Sequence, residues 1–286
     1  MKKTFVLMIA VFAFAMVFTS CTKEGQYMPS KKISEIVFSK TYKSPLGTEI
    51  SRTEREVWNW NGKLLSYIDY YDATGDRSTT LFRYDDDQRI EEINYGSYTA
   101  EFDYEDGLIE EIQITNEYGD LVVKYAFEHK GKTVTAIDIN SNGSKSLEQL
   151  PFNPLKVIIP ENAAKRALQG AATKGSSRMV LTWTGKNVTG LDIIGSTKAS
   201  YKWDYDDKIN PFKGLYDVEQ SRCDLIYSEN NVTREEMTDA TAVVVENYSY
   251  TYDSKYPVLK EWDAQESDPA GLVTLTIHCV NQYKYQ

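Results

Sequence analysis

The sequence predicts an all-β protein, an antiparallel meander of repeated hairpins that curls into a barrel or strongly curved sheet, with one short helix near 161–169. Three observations carry this. Tyrosine is the outlier of the composition, with 21 copies beside 5 Trp in 286 residues, and aromatic side chains favour the pleated, half-buried surface of a strand. Pairs of aromatics two residues apart recur along the chain, and residues two apart share one face of a strand. Most pairs run into Asp, Asn or Gly, often with a base, and then into Ile, Leu or Val, which is the make-up of a turn between strands.

From the N-terminus, Lys2 and Lys3 precede an apolar run from Phe5 to Phe18, closed by Thr19, Ser20 and Cys21. That order is an export signal. The run has 14 residues, fewer than the roughly 20 that cross a bilayer as a helix, so residues 1–20 are expected to be removed. The small residues before Cys21 resemble the lipobox of bacterial lipoproteins, which implies that Cys21 is diacylated and becomes the first mature residue. An ordinary secretory signal that leaves Cys21 as a thiol is the other reading. Each acyl chain contributes about 0.8 kcal/mol per buried CH2, so two would anchor the chain stably. Residues 21–32 then read as a lipidated tether, since Thr22 to Gln26 are polar and Pro29 and Ser30 follow. Thr22 in place of aspartate resembles lipoproteins sent on to the outer membrane. The Lys23-Glu24 pair is similar to the charged export signal of surface lipoproteins in Bacteroides-type bacteria.

Residues 33–286 are expected to form a single domain built from the repeat. The copies are Trp58-Asn59-Trp60, Phe82-Arg83-Tyr84, Phe102-Asp103-Tyr104, Tyr125-Ala126-Phe127, Trp183-Thr184, Trp203-Asp204-Tyr205 and Tyr250-Thr251-Tyr252. Ile90 and Ile93 stand three apart and break the period of two, which a bulge would reconcile. Between 141 and 178 the repeat fails. Pro151, Pro154 and Pro160 break strands there, and Glu161 to Gln169, stopped by Gly170, carries the helix propensity. Ser228 to Thr241 and Asp263 to Gly271 read as surface loops.

The Tyr-Asp turns resemble YD repeats. Trp203 to Leu215, with Asn210-Pro211-Phe212 at its centre, is similar to a signature of uncharacterised Bacteroides-type lipoproteins with a porin-like barrel fold. That resemblance implies a fold and no activity. Arg83 lies between Phe82 and Tyr84, and Asp103 between Phe102 and Tyr104. Charges therefore alternate with the aromatics, predicting a wet outer face and an aromatic interior rather than a lipid-facing barrel.

The formal charge of −10 becomes −12 when residues 1–20, with two lysines and no acid, are removed. Without a basic block the chain is not expected to bind nucleic acid. Cys223 and Cys279 remain after Cys21, and in an oxidising envelope they either pair or stay as two small buried thiols. His129 and His278 are the only histidines, and no nucleophile elbow or zinc motif accompanies them. Asp85-Asp86-Asp87 and Asp204, Asp206 and Asp207 fall at recurring turns, where aspartate bonds its own backbone. No catalytic, metal or cofactor site is expected. The expected function is a non-enzymatic binding module, lipid-anchored at the outer membrane, for a glycan, peptide or partner protein. A structural accessory of an outer-membrane complex is the second reading, and a hydrolase of envelope polymers the third.

Overall fold

A computed structural model describes residues 23–141, 176–194, 198–216, 226–239, 243–267 and 273–286. Seventeen strands are described: β1 (Ile33–Lys43), β2 (Glu49–Asn61), β3 (Leu64–Tyr71), β4 (Arg77–Tyr84), β5 (Ile90–Asn94), β6 (Tyr98–Glu105), β7 (Leu108–Asn116), β8 (Leu121–Lys130), β9 (Thr133–Ser141), β10 (Ser176–Thr184), β11 (Asn187–Ile194), β12 (Ala199–Tyr205), β13 (Val232–Thr238), β14 (Val243–Asn247), β15 (Ser249–Asp253), β16 (Tyr256–Ser267) and β17 (Val273–Tyr285). The predicted all-β meander is what forms, and it goes round as a nearly closed barrel. The helix expected near 161–169 falls outside the described residues.

Neighbours in sequence pair antiparallel, and β1 also pairs with β17, Ile33 opposite Tyr285 and Lys43 opposite Thr276. Only Tyr248 separates β14, which pairs with β13, from β15, which pairs with β16. The two are halves of one strand that steps from one neighbour to the next. Counted so, the ring has an even number of strands, and only an even meander brings its last strand antiparallel to its first.

The start of β1 and the end of β17 meet at one end of the barrel, where Gln286 N donates to Lys32 O at 3.0 Å. The turns 62–63, 85–89, 106–107, 131–132, 185–186 and 254–255 lie at this end, and β12 joins β13 there through residues 206–231. The far end carries 44–48, 72–76, 95–97 and 117–120. Asp106 and Gly107 both adopt positive φ, 52° and 80°, the pattern of a type I′ hairpin that Asp-Gly satisfies at little strain.

Just inside the turn, each connection at this end gains a residue on its second strand. In β4–β5, Arg83 faces Glu92 but Tyr84 faces Ile90, leaving Glu91 over. The same shift leaves over Ser66, Glu110, Thr135, Thr189, Thr233 and Val258. This is the bulge that Ile90 and Ile93 require. It turns residues three apart inward together, so Leu65 with Ile68, Ile109 with Ile112 and Val134 with Ile137 are all buried. Each such side chain contributes roughly 1.5–3 kcal/mol.

The aromatic stripe also faces inward, with Trp58, Phe82, Phe102, Tyr125, Phe127 and Trp203 buried in one continuous core. The residues between them face out, and Arg83, Asp103, Lys202 and Asp204 are exposed. The last aromatic of the stripe has a second task. Where two strands are not joined by a turn they part at the plugged end, and its polar tip spans the gap to a backbone carbonyl of the preceding strand. Trp60 donates to Ile33 O (2.7 Å), Tyr84 to Leu65 O (2.9 Å), Tyr104 to Ile90 O (2.6 Å), Trp183 to Val134 O (2.8 Å), Tyr250 to Val232 O (2.8 Å) and Tyr285 to Pro257 O (2.8 Å), and Tyr205 reaches Val188 O. In every case the aromatic stands one residue beyond the position that the register sets opposite the carbonyl. Burial raises the phenols of Tyr84 and Tyr104 above the ordinary 10.0, so they remain donors.

Candidate binding site

Two segments fill the end where the turns gather. Residues 23–32 do not form the tether that polarity suggested. Tyr27 is fully buried, tilted against Trp58 and Trp60 with ring centroids at 6.3 and 5.9 Å, and its hydroxyl donates to Pro211 O at 2.9 Å. Gly25 O accepts from Ile90 N at 2.9 Å, and Gln26 Nε2 donates to Asp87 O at 2.8 Å. Polar side chains suit this place because the barrel end offers unpaired backbone groups.

The second is formed by residues 206–216 and 226–231. Asn210 Oδ1 accepts from Phe212 N at 2.9 Å while its Nδ2 donates to Ser228 O at 3.1 Å, folding the chain back so that Phe212 packs against Trp58 and Tyr283. Pro211 and Gly214 complete the fold-back, and Gly214 N donates to Ile226 O at 2.7 Å. Ser228 and Asn231 are buried, and Val232–Thr238 is a strand, so of the surface loop expected over 228–241 residues 228–238 are instead plug and barrel wall. Likewise β16 continues through Ser267 where a loop from 263 was expected.

The eight strand pairs that part at this end place a Tyr or Trp at seven of the bridging positions. The eighth, one beyond the register partner of Ile109 on β7, is His129. The imidazole is shorter than a phenol, and Glu24 of the N-terminal segment takes up the space. Its Oε2 accepts from Ile109 N and lies against His129 Nε2, both at 3.0 Å, and its Oε1 accepts from the Tyr216 hydroxyl at 3.0 Å. Tyr216 is ringed edge-on by Phe102, Phe127 and Tyr227. Burial first, then for Tyr216 the neighbouring Tyr227 phenol, and for both the charge of Glu24, hold the two phenols well above the ordinary range. The cluster is a hydrogen-bonded lock that ties the N-terminal segment to β7, β8 and the second segment.

Beside the lock lies a cavity of about 680 Å³. Its wall is built from Met28, Leu108, Val134, Trp183, Ile226, Tyr227 and Tyr256, and Lys23, Lys132, Lys186 and Lys213 stand around it. Glu229 bridges Lys186 at 3.0 Å and Lys213 at 2.9 Å. Such a volume falls in the roughly 300–1,000 Å³ of ligand sites.

Of the residues singled out in the sequence, Cys21 and Cys223 lie outside the described residues, and so does any pairing of Cys223 with Cys279. Cys279 is buried on β17 opposite Trp262. His278 is exposed, its Nδ1 2.8 Å from Asp263. Asp85 accepts from Arg89 N and Nε, and although burial raises its carboxyl, these bonds and the Arg89 charge lower it overall. Asp206 binds Asn231 and Tyr252 and so ties the plug to β15. Among the described residues no three His, Cys, Asp or Glu side chains meet in a metal-binding group. Glu24, Tyr27, His129 and Tyr216 were not foreseen as one site. The signal for them was the exception in the repeat, a histidine where its equivalents are Tyr or Trp.

The barrel is similar in fold to a porin-like protein from Bacteroides uniformis ATCC 8492, with a TM-score of 0.52 and 11% identity over 92% of this chain and 100% of that one. A porin-like protein from Bacteroides vulgatus ATCC 8482 aligns with a TM-score of 0.46 and 9% identity, over 90% of this chain and 99% of that one. No curated protein matches the sequence. The model of the Teneurin YD-shell matches residues 53–272, the span that holds nearly all of the bulged hairpins and their aromatic bridges, and the chain belongs to the teneurin YD-shell family.

Proposed function

We propose that this protein is an envelope lipoprotein, exported, cleaved before Cys21 and acylated there, that works without catalysis as a binding module for a glycan, a peptide or a partner protein. The observation that supports binding is the cavity at the plugged end, with Trp183 half-buried on its wall and rigid strand ends on its sides. The outer-membrane address rests on the sequence of residues 1–24, and the fold shared with a porin-like Bacteroides protein is in keeping with it. Exposed charges such as Arg83 and Asp103 on the outer face suit a barrel that sits in water beside the membrane.

A second reading, an accessory of a membrane complex, has its own support. Leu46, Ile50, Tyr118, Ile194, Val243 and Val245 are exposed, and all stand at the far end. Labelled palmitate should enter the wild-type protein and vanish from Cys21→Ala; label that persists overturns the anchor. A glycan and envelope-peptide screen should use the chain from Lys23 onward, because removal of 23–32 takes away one wall of the cavity. Binding lost on Trp183→Ala supports the module, whereas binding lost only on Ile50→Asp and Val243→Asp moves the function to the far rim.

A further inference from the structure

We infer that the cavity takes an anionic amphiphile, a single acyl chain under a phosphate or carboxylate head, which deepens the binding reading and rests on it. The chemistry of the site is split by depth. Val134, Tyr216, Ile226 and Tyr256 are less than a tenth exposed and make an apolar floor. The lysines are at the mouth: the side chains of Lys23, Lys186 and Lys213 are 51%, 75% and 45% exposed, and Lys132 is exposed as well. Against these four stand Asp106, Glu229 and Glu24, and Glu24 is turned inward to His129, Tyr216 and the Ile109 amide. With Asp87 beside Lys23 counted, the mouth holds four lysines against three outward acids, Lys186 and Lys213 sharing Glu229, in a chain that carries −10 overall. Lys23 also pairs with Asp87 at 3.0 Å, yet exposed pairs of this kind are worth only about 0–1 kcal/mol and yield readily to a better anion.

Position gives the second argument. Two residues of extended chain span at most about 7 Å, so an acylated Cys21 holds Lys23, and with it the mouth, at the membrane surface. Amphiphiles leaving or entering that surface are the ligands such a mouth meets first.

The test uses the full chain carrying Cys21→Ser, so that no acyl group of its own competes. Dodecanoate, dodecyl phosphate, dodecanol and dodecyltrimethylammonium are titrated by calorimetry. Saturable binding of the two anions, at least about tenfold tighter than of the other two, is expected. Lys186→Glu, on an exposed side chain, should weaken the anions about tenfold and leave dodecanol unchanged. Met28→Trp should fill the cavity and abolish binding, its fold being checked by the urea midpoint. Equal binding of all four probes, or indifference to both substitutions, overturns the assignment. A glycan or peptide blocked by Met28→Trp while no amphiphile binds would overturn the ligand class and leave the binding module standing. A chain that binds none of them loses both.

Discussion

At the scale of single residues, the lock around Glu24 makes the sharpest demands. Its carboxylate satisfies two donors that the core has taken out of water, and an orphaned buried donor costs about 1–3 kcal/mol. Glu24→Ala is therefore expected to lower stability by at least that range in urea unfolding, and Glu24→Gln by less, because its carbonyl still accepts. Gly25 is the tighter constraint. Its φ is +78°, and a Cβ there would lie 2.1 Å from the Tyr104 hydroxyl oxygen and 2.8 Å from the ring. Gly25→Ala should destabilise by more than about 1 kcal/mol, and in a Tyr104→Phe background it should cost less than in the wild type but still something, since the ring contact and the backbone strain persist. Equal stability of Tyr104→Phe with and without Gly25→Ala would place the whole penalty on the hydroxyl. None of this was legible from residues 22–30 alone. Their polarity reads as solvent exposure, and the partners that satisfy it, His129, Pro211 and Tyr216, are brought in from far along the chain.

At the scale of the element, the unit is a hairpin with a bulge beneath its turn and an aromatic bridge beside it. Period-two aromatics and Asp-Gly turns are local signals, which is why the meander could be read from sequence, and the Ile90 and Ile93 spacing gave the bulge. The bridges could not be read, because a Tyr that closes a gap and a Tyr that fills a core look alike until the strands are in register. Deleting Glu110 should remove the bulge and leave Ile109 and Ile112 two apart on the same inward face, so the variant should still fold, whereas deleting the paired Gln113 should exchange the faces of β7 beyond it and prevent folding. Tyr104→Phe should cost about 1–3 kcal/mol through the stranded carbonyl of Ile90, while Tyr118→Phe, 79% exposed at the far end, should cost nothing measurable. Equal midpoints for the two would remove the bridges as a source of stability.

At the scale of the whole molecule, the interior is lined by phenols whose ionisation the fold opposes. Burial raises Tyr84, Tyr104, Tyr125, Tyr216 and Tyr227 above the ordinary 10.0. A raised value in the folded state means that the stability is fully present below pH 10 and is lost as pH climbs from there toward the folded values. Phenolate absorption should therefore appear in two stages, exposed tyrosines near their ordinary value and the interior set together with loss of near-ultraviolet circular dichroism. A single smooth titration with the fold intact would contradict the buried assignments. The pairing of β1 with β17 has a further consequence, for the order of events in folding. Synthesis delivers the N-terminus first, yet the first strand cannot gain its second neighbour until the last residues have arrived, since Ile33 faces Tyr285. Contacts so distant in sequence make folding slow, so β1 must wait with one edge open, and sealing the seam is the act that finishes the molecule.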